Sequence, residues 1–116
     1  MDTTTRLRAM TFADLYECYR AKILRKDRTI DELDAVLTWY FNDSPDVLTH
    51  ARDSDITLGE LLDTAQTTPH APEIRGVICG VRVEDISDPF LRAVRQLDKI
   101  VDELARGKKV AAILRG

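Results

Sequence analysis

The sequence predicts an all-α fold: a single compact bundle of five or six helices, one domain over residues 1–116, with a long amphipathic helix near the C-terminus. Three observations predict it. Five helix-start signatures stand along the chain. Apolar residues recur every three to four positions behind each of them. Hydrophobic residues at 44% and charged residues at 32% give the balance of an ordinary globular protein, and a fold of this size buries roughly two-thirds of its unfolded surface.

Residues 1–10 carry no apolar period and are expected to be a loosely ordered N-terminal segment. They also lack the apolar stretch of a secretory signal. The first helix starts at Thr11-Phe12-Ala13-Asp14, an N-cap with an acid three residues on. Phe12, Leu15, Tyr16, Tyr19 and Ile23 form its apolar face. The second starts at the capping box Thr29-Ile30-Asp31-Glu32 and aligns Ile30, Leu33, Val36, Leu37 and Tyr40. Asn42 is its expected stop, because asparagine tolerates the left-handed conformation a helix end needs. Ser44-Pro45 opens a short helix to about Ala51, since proline at the first helical position lacks only an N–H that would be unpaired anyway. Thr57-Leu58-Gly59-Glu60 opens another to about Gln66, and Thr67–Pro72 is a proline-bounded loop.

Residues 73–86 fit two patterns. Ile74, Val77, Ile78 and Val81 suit a helix face, while Val81 and Val83 alternate around Arg82 as a strand would. A lone strand lacks an evident partner, so a helix to about Cys79, ended by Gly80, is the expectation. Asp88-Pro89 then opens the long helix. Phe90, Val94, Leu97, Val101 and Leu104 repeat at four, three, four and three, and Gly107 stands at the C-terminal cap position. Val110–Leu114 is a short final turn.

The net charge of -3 hides segregation: residues 1–28 balance to +3, residues 29–74 to -9 and residues 75–116 to +3. The acidic middle is expected to face its basic flanks within one fold or across a homodimer interface. Two cysteines make no disulfide framework, no apolar run is long enough to span a membrane, and the expected compartment is the cytoplasm.

Chemistry-bearing constellations are sparse. His50 and His70 lack metal-ligand spacing, so neither a metal nor another cofactor is expected. Asp46 and His50 read as a surface pair, and Cys18 reads as packing. Cys79, with Arg75 one helical turn before it, is the candidate thiol nucleophile, set against burial as a small hydrophobe. Arg25, Lys26 and Arg28 crowd the end of the first helix, either as cations favoured at a helix C-terminus or as an anion patch. Gly76 to Ile86 echoes a helix-turn-helix, but Glu84 and Asp85 would face phosphates with Arg82 alone to offset them. Nucleic acid is therefore not the expected partner.

Gly76–Pro89 (GVICGVRVEDISDP), Leu97–Lys108 (LDKIVDELARGK) and Ala112–Arg115 (AILR) resemble the C-terminal half of the bacterial domain-of-unknown-function family 2200. Upstream, Phe12-Ala13, Tyr16, Tyr19, Lys22, Arg25–Thr29 and Trp39 resemble that family's opening. Asn42-Asp43 departs from its usual Gly-Tyr pair. The resemblance implies a small bacterial protein without an assigned activity, and it carries over no catalytic residue. The expected function is a non-enzymatic binding or protein-interaction module. Arg75, Cys79, Arg82, Glu84, Arg25, Lys26 and Arg28 are the candidate interaction residues. The alternatives are a thiol-dependent enzyme using Cys79 and a weak nucleic-acid binder using the basic ends.

Overall fold

A computed structural model describes residues 2–115. It is mostly helical, with seven α-helices and one two-stranded hairpin among those residues. The helices are α1 (Thr3–Ala9), α2 (Phe12–Leu24), α3 (Ile30–Tyr40), α4 (Pro45–Asp53), α5 (Leu58–Thr64), α6 (Pro89–Ala105) and α7 (Val110–Ile113). The strands are β1 (Val77–Ile78) and β2 (Val81–Arg82). The expectation of an all-α bundle of five or six helices is thus corrected twice, by a helix at the N-terminus and by a hairpin at residues 77–82.

All five expected N-caps form. The Thr11, Ser44 and Asp88 side chains accept from Asp14, Val47 and Phe90 N–H, and Thr29 and Thr57 make full capping boxes with Glu32 and Glu60. Each cap satisfies a backbone donor that the first helical turn leaves unpaired, at about 1 kcal/mol apiece. Behind them the apolar faces close one core. Phe12, Leu33, Val36, Leu37, Leu97, Ile100, Val101 and Leu104 are fully buried in it. Phe41 sits edge-on to both Phe12 and Tyr40, at 5.9 and 5.4 Å between ring centres. α6 is the central element, packing against α2, α3, α5, α7 and the hairpin. No helix is long and apolar enough to cross a membrane among the described residues.

The N-terminal segment is helical rather than loose. Asp2 accepts from Thr5 N–H and caps α1, and Leu7 and Met10 rest on the core. Arg8 bridges to Asp63 at 3.0 Å and lies over the Phe90 ring. The signal was hidden because α1 buries no residue fully and so shows no apolar period. Backbone pairing of Phe12 N–H with Ile56 C=O and of Leu58 N–H with Met10 C=O then brings the starts of α2 and α5 side by side.

The expected helix over residues 73–79 is absent. Ala71–Glu73 is a single 3-10 turn, and Val77–Ile78 pairs antiparallel with Val81–Arg82. The missing strand partner lies immediately upstream, two residues away. Cys79 and Gly80 form the connection with φ of 51° and 80°, the paired positive values of a type I′ turn. That turn matches the twist of the strands it joins, which is why a two-residue loop suffices. Cysteine is an unusual occupant of the left-handed region, so the turn did not announce itself. The hairpin also ends the helix-turn-helix echo, because neither of its helices exists there.

Candidate functional site

The hairpin is laid onto α6 and fixes one wall of a cleft. Ile78 and Val83 are buried beneath it. Lys99 on α6 donates to Val77 C=O at 3.3 Å, and Val83 N–H donates to Gly76 C=O, closing the loop. Glu84 turns both carboxylate oxygens to Gly76 N–H at 3.2 and 3.3 Å. The opposite wall is the proline-bounded loop. Thr68 N–H donates to Tyr40 C=O at 2.7 Å, tying that loop to the end of α3.

Between the two walls, Pro72, Ile74, Arg75, Glu84, Arg92 and Gln96 line a cleft of about 360 Å³. A second depression of about 470 Å³ shares Pro72, Arg92 and Gln96, so the two make one groove along α6. Its floor is held rigidly. Arg92 donates to Ile86 and Ser87 C=O at 2.7 and 3.1 Å. Gln96, buried, accepts from Tyr40 O–H at 2.7 Å and donates to Ala71 C=O. Arg92 has no carboxylate partner among the described residues, and Arg75 makes neither a hydrogen bond nor an ion pair there. Two guanidinium groups therefore meet one carboxylate across the cleft, which leaves it cationic.

The fold scatters the other sequence candidates. Arg82 is exposed on β2 opposite Val77, outside the cleft. Cys79 is exposed at the hairpin apex, which corrects its expected burial, and Cys18 is likewise exposed on α2. Cys79 borders a separate apolar depression of about 240 Å³ with Val81, Ile86 and Leu91. The one ionisable neighbour lining it, Arg95, is held by Asp98 at 2.8 Å, so no base faces the thiol there. Arg25 is exposed just past α2, and Lys26 borders a shallow basin with Lys22, Asp102 and Arg106. Arg28 is committed to structure. It grips Glu32 with two nitrogens, at 2.6 Å from Nη2, and donates to the Leu104 carbonyl in the last turn of α6 and the Lys108 carbonyl just past it. His70 contacts Glu73, and Asp46 and His50 border the same surface depression without bonding to each other.

Two tyrosines of the core owe their shifted proton affinities to packing. Tyr19 donates to Asp98 at 2.6 Å and Tyr16 to Asp34 at 2.6 Å; Arg95 and Arg52 hold the far oxygens of those carboxylates. Burial first, and the adjacent carboxylate second, push both phenols above their ordinary value. Burial alone would raise Asp102, but Lys22 at 3.0 Å and Arg106 at 2.8 Å outweigh it and hold the carboxyl below its usual range. Among the described residues no group of three or more histidines, cysteines or carboxylates is placed to hold a metal ion.

Sequence reasoning found Arg75 and Glu84 and missed Arg92 and Gln96. Gln96 carried a signal: it is a polar residue flanked by the apolar positions Val94 and Leu97 of the α6 stripe. Arg92 carried none, because the two groups that orient it, the Ile86 and Ser87 carbonyls, are backbone atoms that no side-chain pattern marks.

Comparison with known proteins agrees with this architecture. The family model described as an uncharacterized protein conserved in bacteria (DUF2200) matches residues 6–115, and the chain belongs to that family. It is similar to a solved structure, that of the uncharacterized protein SP1917, at 35% identity and a TM-score of 0.88, over 98% of this chain and 93% of that one. No curated protein matches.

Proposed function

We propose that this member of the DUF2200 family is a binding module, and that the groove over α6 takes a small ligand bearing a carboxylate or phosphate. One observation carries the reading: Arg75 and Arg92 bring two positive charges to a cleft where the protein supplies a single carboxylate, Glu84. Guanidinium forks pair with planar oxyanions through two parallel hydrogen bonds, and a fork already oriented loses less freedom on binding. Arg92 is so oriented by Ile86 and Ser87. Gln96 and Tyr40 add a fixed polar floor, and Pro72 and Ile74 an apolar wall. The continuous core supports reading the chain as one domain. The free, exposed Cys18 and Cys79 support a reducing compartment, the cytoplasm.

Titration calorimetry with inorganic phosphate and with succinate tests this. A compact oxyanion should bind with about millimolar affinity, the free energy of two charge-assisted contacts. Arg75→Gln should weaken it about tenfold without changing the melting temperature, because Arg75 holds nothing else in place. Absence of saturable binding by either anion, or equal affinity in the variant, would overturn the reading.

A further inference from the structure

The charge segregation along the chain is only partly resolved inside one molecule. Within the acidic middle, Glu32 pairs with Arg28, Asp34 with Arg52 and Asp63 with Arg8. Asp43, Asp46, Asp53 and Asp55 are exposed and have no cationic partner among the described residues. All four lie on α4 or beside its ends. Asp46, His50 and Asp53 are spaced four and three apart, so they share one face of that helix. Asp46 and His50 border a groove of about 360 Å³ between α4 and α5, whose floor is Val47, Ile56, Leu61 and Ala65. This is an apolar trough with an acidic rim.

The complementary surface is on the same chain. The outer face of α2 exposes Cys18, Ala21 and Leu24, three residues apart, and Leu24, at 46%, is the most exposed leucine among the described residues. Arg20 and Arg25 flank that stripe. Arg25 has no ion pair, and Arg20 has only exposed Glu17 at 3.6 Å, a pairing worth little in water. An apolar ridge with cationic borders thus stands one helix away from an apolar trough with acidic borders. α2 and α4 pack directly together, with Arg52 over the Tyr16 ring.

We infer that two copies of this chain associate about a two-fold axis, with the α2 ridge of each seated in the α4–α5 trough of the other. A two-fold arrangement makes both contacts at once and closes on itself, where a single head-to-tail contact would propagate. The surface is ample. A standard interface takes about 800 Å² per partner, roughly an eighth of the 6447 Å² this chain presents. Leu24 is the anchor in the trough, and Arg20 and Arg25 reach Asp46 and Asp53, so two of the four carboxylates unpaired within the protomer gain partners across the axis.

Light scattering coupled to size exclusion, at low salt, tests the inference, because screening weakens the rim. The wild type should have twice the 13.1 kDa chain mass. Asp46→Arg with Asp53→Arg, and separately Arg20→Glu with Arg25→Glu, should each raise the dissociation constant about a hundredfold, since like charges then face each other. Combining all four substitutions should restore the dimer. Leu24→Asp should give the monomer with unchanged circular dichroism. A wild type at the single-chain mass overturns the inference. So does a dimer that survives either charge reversal, or a four-fold variant that stays monomeric.

Discussion

Replacing Cys79 by asparagine should stabilise the protein, and replacing Gly76 by alanine should destabilise it. Cys79 has φ of 51° at the hairpin apex. An ordinary L-residue held there costs about 1 kcal/mol, whereas asparagine tolerates the region and Asn-Gly is the favoured type I′ pair. The Cys79 side chain is exposed, so its loss removes little packing. Gly76 has φ of 113°, and a Cβ there would stand 3.1 Å from Lys99 Cε. The lysine end can move aside, so the cost of alanine is mainly backbone strain, about 1–2 kcal/mol. Unfolding entropy of roughly 2.1 cal/mol/K per residue amounts to about 0.24 kcal/mol/K for this chain, which makes 1 kcal/mol about 4 °C. Thermal unfolding followed by circular dichroism should therefore show Cys79→Asn melting about 4 °C above the wild type and Gly76→Ala about 4–8 °C below. A helix over these residues would reverse the sign at Gly76, because alanine outranks glycine in a helix interior, and would remove the gain at Cys79, because asparagine and cysteine rank alike there. A Gly76→Ala protein as stable as the wild type would refute the hairpin argument.

Two further outcomes follow from the ion pairs. Hydrogen bonds from Arg28 and the Thr29 backbone lower Glu32 from an ordinary 4.5 to about 2. A carboxylate depressed in the folded state stabilises above its unfolded value and loses that contribution as pH falls through the folded one. Denaturant titrations should thus show the wild type more stable than Glu32→Gln near neutrality and the two converging between pH 4.5 and 2; a constant offset would contradict the pairing. Asp34→Asn should cost about 1–2 kcal/mol, or about 4–8 °C, because Asp34 joins Tyr16 on α2 to Arg52 on α4. A double-mutant cycle with Arg52→Met should show coupling above about 0.5 kcal/mol, and strict additivity would mean the three groups do not act together.

The sequence revealed what is local and hid what is bought by contact. Caps and periodic faces are written within four residues, so Thr29-Glu32, Thr57-Glu60 and the Phe90–Leu104 stripe were readable directly. Asn42 ends α3 as expected, with φ of 58°. The α1 helix was hidden because its attachment runs through Arg8, a polar residue that settles over Phe90 and against Asp63. The hairpin was hidden because its turn relies on a cysteine in a conformation that type rarely adopts. For α1 the deciding contacts lie far along the chain, whereas for the hairpin they lie within six residues but rest on a residue type that does not signal the turn.

The cations show why a binding site is harder to read than a fold. Arg25, Lys26 and Arg28 look equivalent in the sequence, yet Arg28 is consumed by Glu32 and two carbonyls around the end of α6, while Arg25 remains free of ion pairs among the described residues. Arg75 and Arg92 lie seventeen positions apart and meet only because the hairpin folds back on α6. What an arginine can bind is set by which of its donors the fold leaves unused, and that depends on carbonyls and carboxylates remote in sequence. Positive charge left unpaired beside a rigid cleft is therefore a stronger indication of a ligand than a denser run of cations at a helix end. At that helix end Arg28 is already spent on Glu32 and on the carbonyls of Leu104 and Lys108 around the end of α6.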